Sequence, residues 1–327
     1  MKQSPYSALI VGLGNVGMGY DLDTVDQNTV LSHAKALALS SKFELCCAVD
    51  LNEEKRRTFQ DKYKAPAYSS LDEALKSHKV DLAVVAVPTE SHSGEILHLL
   101  RVGKPKAILC EKPIANTLEE SRALVSECAK SNVSLYVNYM RRSEPGALEV
   151  KRRIDQGTIA GPIKGVAWYT KGLLHNGSHL INLCEFWLGK AESFTIISKG
   201  ASLGKYDATP DVSIHFKVGR VLFLANQEGK YSHHAIELLA SNGYLRYDRS
   251  GHAVNWTPIA DESNPPDQKS LPVTSESISS KMFRYQSLVF ENLALNMSDM
   301  PAHLCSGLQA LETHGFIDKI LRVRNEH

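Results

Sequence analysis

The chain has 327 residues, of which 43% are hydrophobic and 22% charged, the balance of an ordinary globular protein long enough for two domains. Its formal net charge of +1 gives no electrostatic signature of nucleic-acid or anionic-membrane binding. The six cysteines follow no CxxC spacing, and no apolar run approaches the ~18 residues of a membrane span. We therefore expect a cytoplasmic protein that binds neither nucleic acid nor membrane.

The first predicted element is an apolar strand, residues 8–11, that runs directly into a glycine pattern. In a dinucleotide-binding turn, the first glycine permits the tight bend and the second lets the backbone approach the pyrophosphate. The third allows close packing of helix on strand, at a positive helix N-terminus. Gly12, Gly14 and Gly17 are placed for these three roles, with Asn15 and Val16 in the same loop. The pattern predicts a cradle for the cofactor's phosphates.

A second strand, residues 43–49, ends at Asp50, whose carboxylate is placed to hydrogen-bond an adenosine ribose. Asp50 follows Gly17 by 33 residues, where about 20 is usual, and the polar stretch 20–29 is interpreted as an insertion that explains the difference. We expect the insertion to border the substrate site or to be a solvated decoration, and the helix to resume over residues 31–40. An ordinary strand-end turn is the alternative role of Asp50.

The cofactor preference is read from the residues after Asp50. Leu51 and Asn52 follow it, with no immediate arginine to meet a 2′-phosphate, so the sequence favours NAD over NADP. Arg56 and Arg57 fall in the next helix and are interpreted as solvated, although they keep NADP open.

Strands and helices alternate up to residue 138, which predicts a parallel sheet with right-handed crossovers. Two of its strands end in motifs at the edge where open α/β sheets bind ligands. Residues 81–87 lead into Pro88-Thr89-Glu90-Ser91-His92, and residues 106–110 lead into Glu111-Lys112-Pro113. Pro88, Thr89, His92 and the second motif are therefore candidate cofactor contacts.

Lys112 is the first catalytic candidate. An ammonium at the mouth of a strand, beside a bound nicotinamide, could donate a hydrogen bond to the reacting carbinol oxygen and stabilise its alkoxide character. A surface lysine after a strand is the alternative. Glu111 is interpreted as the partner that fixes Lys112, and Pro113 as a restriction on the neighbouring backbone.

The alternation stops after residue 139. This predicts an N-terminal Rossmann domain, a doubly wound parallel sheet, over residues 1–140, and a C-terminal α+β domain with a large, mostly antiparallel sheet over residues 141–327. The second domain is expected to have a helix at 147–156, a strand at 163–170, a further helix up to residue 188, a loop at 263–268 and closing helices at 281–297 and 302–322. Short strands are expected at 194–198, 212–218, 220–226, 235–241 and 243–248, with a hairpin at Asn242-Gly243.

His175 and His179 precede or open the helix that ends near residue 188. They are four residues apart, so they share a face if both are helical. Metal binding by this pair is a weaker alternative, because it needs further ligands and only the distant His233 and His234 could supply them. We expect no metal site.

In combination, these motifs resemble the Gfo/Idh/MocA oxidoreductases over essentially the whole chain. The resemblance is carried by the glycine loop, Asp50, the motifs at residues 88–92 and 111–113, and Gly177-Ser178-His179-Leu180-Ile181-Asn182. It implies NAD(P)-linked hydride transfer at a carbon of a sugar, cyclitol or nucleotide sugar. It also implies a homodimer or homotetramer joined through the sheet of the second domain.

The family usually has an aspartate four residues before a histidine that acts as general acid/base on the substrate hydroxyl. Here His179 matches the histidine, but His175 stands where the aspartate is expected. A carboxylate raises the basicity of an imidazole and fixes its tautomer, whereas a second imidazole does so weakly. His175 is therefore only a candidate orienting partner of His179, and a non-catalytic dinucleotide-binding sensor on the same fold is the alternative function.

Overall fold

The computed structural model describes residues 4–24, 26, 28–226, 231–259 and 274–326. The chain divides into two compact units, Met1–Ser143 with Phe283–Leu311, and Glu144–Met282 with Glu312–His327. The single boundary predicted after residue 140 differs from this division, because residues 283–311 return to the first unit. The reason is packing: Val289, Phe290 and Leu293 complete the apolar core on one side of the first sheet.

The described strands, numbered in chain order, are β1 (Tyr6–Val11), β2 (Phe43–Val49), β3 (Ala67–Tyr68), β4 (Leu82–Val85), β5 (Ala107–Cys110), β6 (Ser134–Val137), β7 (Ile163–Thr170), β8 (Ala191–Ser198), β9 (Ser202–Leu203), β10 (Asp207–Ala208), β11 (Asp211–Phe216), β12 (Gly219–Asn226), β13 (Ala235–Ala240), β14 (Gly243–Asp248), β15 (Ala253–Pro258), β16 (Glu276–Ile278) and β17 (Cys305–Ser306).

The described α-helices are α1 (His33–Ala38), α2 (Glu53–Tyr63), α3 (Leu71–Ser77), α4 (Thr89–Val102), α5 (Leu118–Lys130), α6 (Pro145–Asp155), α7 (Ser178–Leu188), α8 (Tyr285–Asn296) and α9 (Gly307–Glu326). Several begin at a polar side chain that accepts a backbone N–H of the first turn, as Ser32, Asn52 and Ser70 do. Within the part of the chain that the structure describes, no helix is both long and apolar enough to cross a bilayer.

The sheet of the first unit has the strand order β17-β6-β5-β4-β1-β2-β3. All its pairings are parallel except that of β17 with β6, so β1 to β6 form the doubly wound Rossmann arrangement. The strand order reverses between β1 and β4, which is where such sheets bind ligands. Ala8, Leu9 and Ile10 are all completely buried, as expected of a strand covered on both faces.

The helical turn after the glycine loop is interrupted by a detour of the chain and is continued by α1. The N–H of His33 donates to the carbonyl of Val16 at 3.0 Å, and that of Ala34 to the carbonyl of Gly17 at 2.9 Å, so α1 continues the turn that follows the glycine loop. The intervening residues contain a 3-10 turn, Gly19–Asp21, whose Asp21 is 1% exposed. The polar stretch 20–29 is expected to border the substrate site or to be solvated, and its Asp21 is nevertheless buried.

The second unit has a sheet of order β16-β15-β14-β13-β7-β12-β11-β8, in which only β7 and β12 pair in parallel among the described strands. Its buried face contributes residues such as Ala167, Tyr169 and Phe223 to one core with side chains of α6, α7 and α9. Strands β13 and β14 form the predicted hairpin, with Ala240 opposite Gly243. The predicted loop at 263–268 lies outside the described residues.

Candidate cofactor and catalytic site

The structure gives different reasons for glycine at the three positions of the first loop. Gly12 has φ of +99°, and a Cβ there would lie 2.7 Å from the backbone of Ala86. A Cβ on Gly17 would lie 2.1 Å from the carbonyl oxygen of Gly12, so both positions need glycine for packing. A Cβ on Gly14 would meet no described atom within 4 Å. Packing does not explain Gly14, and its backbone faces open space into which a phosphate could fit.

Asp50 connects the end of β2 to the glycine loop. Its Oδ2 accepts the N–H of Leu13 at 2.7 Å, and its Oδ1 accepts the N–H of Asn52 at 2.8 Å. Asp50 therefore fixes the loop and also makes the turn that was the alternative to ribose binding. The two roles are compatible, because each carboxylate oxygen can accept more than one hydrogen bond.

Arg56 is not simply solvated, as the sequence suggested. Its Nη1 donates to the carbonyl oxygens of Asp50 and Leu51, at 2.8 and 2.9 Å, and so holds the turn after β2. Arg57 instead pairs with Glu53 along α2. Neither guanidinium is therefore simply available for a 2′-phosphate.

His92, predicted to contact the cofactor, is only 1% exposed. Its Nε2 lies 3.0 Å from the carbonyl oxygen of Val87, and its Nδ1 lies 3.0 Å from that of Pro113. The ring therefore clamps the loop after β4 to the loop after β5. That His92 contacts the cofactor stays a prediction, and both of its ring nitrogens face backbone carbonyl groups inside the unit.

Glu111 follows β5 and accepts two hydrogen bonds on Oε1. His33 Nε2 lies 2.8 Å away and Asn138 Nδ2 lies 2.6 Å away. Asn138 Nδ2 also lies 3.3 Å from Gln286 Oε1, so the network that begins at the carboxylate joins the start of α1, the residue after β6 and α8. His33, Asn138 and Gln286 are at most 3% exposed, which makes this a buried polar network at the carboxyl edge of the sheet.

Burial alone would raise the pKa of Glu111, yet the hydrogen bond and charge of His33, the Asn138 amide and the Lys112 ammonium together hold that pKa below its usual range. Glu111 is thus an anion adjacent in sequence to the half-buried Lys112. The expectation that Glu111 only fixes Lys112 is too narrow, because its closest hydrogen-bond partners are His33 and Asn138.

In the second unit, His175 and His179 lie in different kinds of helix. Leu173–Gly177 forms one π-helical turn, and α7 begins at Ser178. His175 is exposed, whereas His179 is 8% exposed, so the two side chains do not share one environment. His234 is close to His179: the two rings meet edge to face, with centroids 6.1 Å apart.

Asp207 is a carboxylate near this turn that the sequence analysis did not single out. Its Oδ1 accepts the N–H of Leu174 at 2.8 Å, and its Oδ2 accepts that of His175 at 2.9 Å. Burial raises the pKa of Asp207 despite these donors. Asp207 satisfies otherwise free N–H groups at the start of the helix, as an N-cap does, and so fixes the turn that carries His175.

The first unit thus brings the glycine loop, Asp50, Glu111 and Lys112 to the carboxyl edge of one sheet, as predicted. Of the other loop candidates, Asn15 and Pro88 are exposed, Val16 and Thr89 are half-buried, and Pro113 is buried. Sequence reasoning missed His33, whose signal is its place at the start of the helix that follows the glycine loop.

Residues 7–139 match the family described as "Oxidoreductase family, NAD-binding Rossmann fold", GFO_IDH_MocA. An uncharacterized oxidoreductase of Streptococcus pneumoniae is 25% identical over 209 residues, 56% of this chain and 56% of that protein. The scyllo-inositol 2-dehydrogenase (NAD⁺) of Bacillus subtilis is 36% identical over 91 residues, 28% of this chain and 26% of that protein. The chain thus spans about half, or less, of the length of these curated relatives.

Solved structures match the fold over nearly the whole chain. An NAD-binding oxidoreductase of Klebsiella pneumoniae has a TM-score of 0.79 at 14% identity, covering 98% of this chain and 97% of that one. The WlbA dehydrogenase of Bordetella pertussis, solved with NADH and UDP-GlcNAcA, has a TM-score of 0.75 at 17% identity and covers 100% and 97%. The matched region, residues 7–139, is the Rossmann domain of the first unit, and it is similar to that of the Gfo/Idh/MocA oxidoreductases.

Proposed function

We propose that this protein is an NAD-dependent dehydrogenase acting on a hydroxyl-bearing carbon of a sugar, cyclitol or nucleotide sugar. One observation carries the proposal. The carboxyl ends of β1, β2 and β5 present an open glycine position, a carboxylate and an ammonium at one edge of one sheet, namely Gly14, Asp50 and Lys112. The scyllo-inositol 2-dehydrogenase among the relatives and the UDP-GlcNAcA-bound WlbA among the neighbours support the substrate class.

The residues present fit a dinucleotide. The open space at Gly14 suits a phosphate, and the remaining lone pairs of Asp50 suit ribose hydroxyls. The Asp50 carboxylate would repel a 2′-phosphate, and Arg56 is engaged by the backbone of the same turn. These features support NAD as the preferred cofactor.

When bound, the nicotinamide supplies the hydride acceptor or donor. We assign to Lys112 a hydrogen bond to the reacting carbinol oxygen, which stabilises the negative charge that develops there. The Glu111 carboxylate, adjacent in sequence and held anionic by His33 and Asn138, places a negative charge beside Lys112. In the proposed reaction, the role of the buried network is thus to keep Glu111 negatively charged beside Lys112.

We assign acceptance of the hydroxyl proton to His179, on the match of residues 177–182 to the family motif. An imidazole can accept a proton at one ring nitrogen and later return it, which is the work of a general acid–base. In place of the family's aspartate, His175 would orient His179 more weakly.

The second candidate function is a non-catalytic dinucleotide-binding sensor. It is favoured by the exposed His175 at the position where the family has an aspartate. The enzyme is the stronger proposal, because a sensor would need neither Lys112 nor the buried network that holds Glu111 charged.

The test is NAD⁺ reduction by the wild type with a panel of cyclitols, sugar acids and nucleotide sugars, followed by the Lys112→Ala variant. We expect Lys112→Ala to lower kcat at least ~100-fold, the lower range for a positioned charged or acid–base group, while calorimetry finds NADH affinity nearly unchanged. Lys130→Ala is the matched control, because Lys130 is 68% exposed on α5. Tight NADH binding without turnover of any panel member would favour the sensor.

We also propose a homodimer or homotetramer formed through the outer face of the second unit's sheet. Trp168 on β7 and Leu239 on the neighbouring strand β13 are 39% and 57% exposed. The buried Ala167 and Tyr169 of β7 point to the other face of the sheet. Exposed apolar side chains grouped on one face are typical of an interaction surface.

We also propose the cytoplasm as the compartment of this protein. All six cysteines, each within the described residues, are free thiols, which supports this proposal.

A further inference from the structure

Three potential metal ligands lie together on the first unit, apart from the residues proposed for catalysis. Cys46 and Cys47 are on β2, and His78 follows the end of α3. One ligand atom from each lies within 4.8 Å of the others, and the two sulfurs are 3.9 Å apart. This is the one such group of three among the described residues.

A β-bulge brings the two cysteine side chains together. In a regular strand, successive side chains point to opposite faces. Here Ala8 pairs with Leu45 and Leu9 pairs with Cys47, so Cys46 is an extra residue on β2. The bulge re-aims one of the two side chains. The strand therefore departs from regular pairing at the position that groups both thiols.

The spacing of the sulfurs suits a tetrahedral ion. Two thiolates bound to zinc at ~2.3 Å in tetrahedral geometry are separated by about 3.8 Å, close to the observed 3.9 Å. The Tyr68 hydroxyl lies 3.0 Å from Nε2 of His78 and holds the ring, as outer-shell hydrogen bonds do at metal sites.

Solvent access to the site is also suitable. Cys46 and His78 are half-buried and so reachable from solvent, whereas Cys47 is completely buried. Thiolate is the form of cysteine that binds metal.

We propose that Cys46, Cys47 and His78 form a binding site for a thiophilic divalent cation of the Zn²⁺ class, with a fourth position left to water. Binding replaces the two thiol protons, which leave to solvent, and changes no oxidation state. The site would tie the end of α3 to β2. Cys47 precedes Asp50 by three residues, about 10 Å along an extended chain, so the ion would sit beside the cofactor edge and not in it.

The test is competition for Zn²⁺ between the full chain and a chromophoric chelator. We expect one site per chain, and Cys46→Ser or His78→Asn should weaken it at least ~100-fold, the upper end of the loss seen for outer-shell partners. Tyr68→Phe should cost roughly 10–100-fold. The matched controls are Cys128→Ser and His98→Asn, a buried cysteine on α5 and a histidine that is 30% exposed on α4, and both should bind as the wild type does.

Cobalt substitution identifies the ligands without any variant. Co²⁺ bound at this site should show sulfur-to-metal charge-transfer bands, and Zn²⁺ should protect Cys46 from alkylation in peptide mapping. NADH affinity should stay unchanged in both ligand variants, which also shows that they are folded. Zinc affinity equal in the ligand variants and the controls, or bound Co²⁺ without charge-transfer bands, would overturn the proposal.

Discussion

Alanine substitutions at Gly14 and Gly17 separate cofactor approach from packing within a single loop. A methyl group at Gly17 would lie 2.1 Å from the carbonyl oxygen of Gly12, well inside the distance that real Cβ atoms adopt. A methyl group at Gly14 would meet no described atom within 4 Å. We therefore expect opposite phenotypes from the same chemical change.

The expected magnitudes follow from these distances. Overpacking costs typically 1–3 kcal/mol, and the atom contacted here is backbone that cannot rotate away, so Gly17→Ala should cost about 3 kcal/mol or more. For a unit of this size that is a fall in Tm of roughly 6–12 °C. Gly14→Ala should leave the free energy of unfolding unchanged or raise it by up to ~1 kcal/mol, because alanine lowers the conformational entropy of the unfolded chain. It should weaken NADH at least ~10-fold, or about 1.4 kcal/mol, by occupying the space proposed for phosphate.

The assays are thermal unfolding without cofactor and calorimetric titration with NADH at a temperature where both variants are folded. A Gly14→Ala variant that binds NADH as tightly as the wild type would refute the phosphate cradle. An unaltered Tm for Gly17→Ala would refute the packing argument instead.

Five further predictions concern the rest of the molecule. His33→Leu should destabilise the protein by about 2–4 kcal/mol at pH 7, because the buried Glu111 carboxylate loses a charge-assisted hydrogen bond. The pKa of Glu111 is lowered in the folded protein, so the ionised carboxylate stabilises the fold fully above its ordinary pKa of about 4.3. This stabilisation is lost as the pH falls through the folded pKa. In denaturant unfolding, the free energies of unfolding of the wild type and Glu111→Gln should therefore converge in acid. His175→Asp should keep or improve turnover and His175→Ala should cost less than His179→Ala, whereas a purely structural His175 would lower Tm with normal kinetics. Replacing residues 22–29 with a glycine turn should change substrate KM more than NAD affinity, and unchanged kinetics would make the insertion a decoration. Trp168→Glu should shift the oligomer toward monomer in sedimentation, and an unaltered distribution would exclude this face as the interface.

The fold was readable from the sequence where local signals agree with the packing. Buried strands such as β1 and β4 are short apolar runs ended by turn residues. The glycine loop marks the carboxyl end of β1, and Asp50 marks that of β2. The return of residues 283–311 to the first unit was not readable. The sequence of an apolar helix does not indicate which sheet the helix packs against, and Val289, Phe290 and Leu293 would suit either core.

The site was predictable at its motifs and not in its supporting contacts. Lys112 and Asp50 follow strands whose carboxyl ends a parallel sheet must bring together. His33 contacts Glu111, and Gln286 contacts His33, from elements far apart in sequence, which no local pattern indicates. The motif position of His92 predicts the loop, but it does not predict that the two ring nitrogens face the carbonyl oxygens of Val87 and Pro113.

The most direct test of the central claim is NADH formation from NAD⁺ with the cyclitol, sugar-acid and nucleotide-sugar panel, measured for the wild type and Lys112→Ala at equal cofactor saturation. We predict that at least one panel member is oxidised by the wild type, and that Lys112→Ala loses at least ~100-fold in kcat while still binding NADH. Equal turnover by the two proteins would contradict the role of Lys112, and tight NADH binding with no oxidation of any panel member would contradict the dehydrogenase itself.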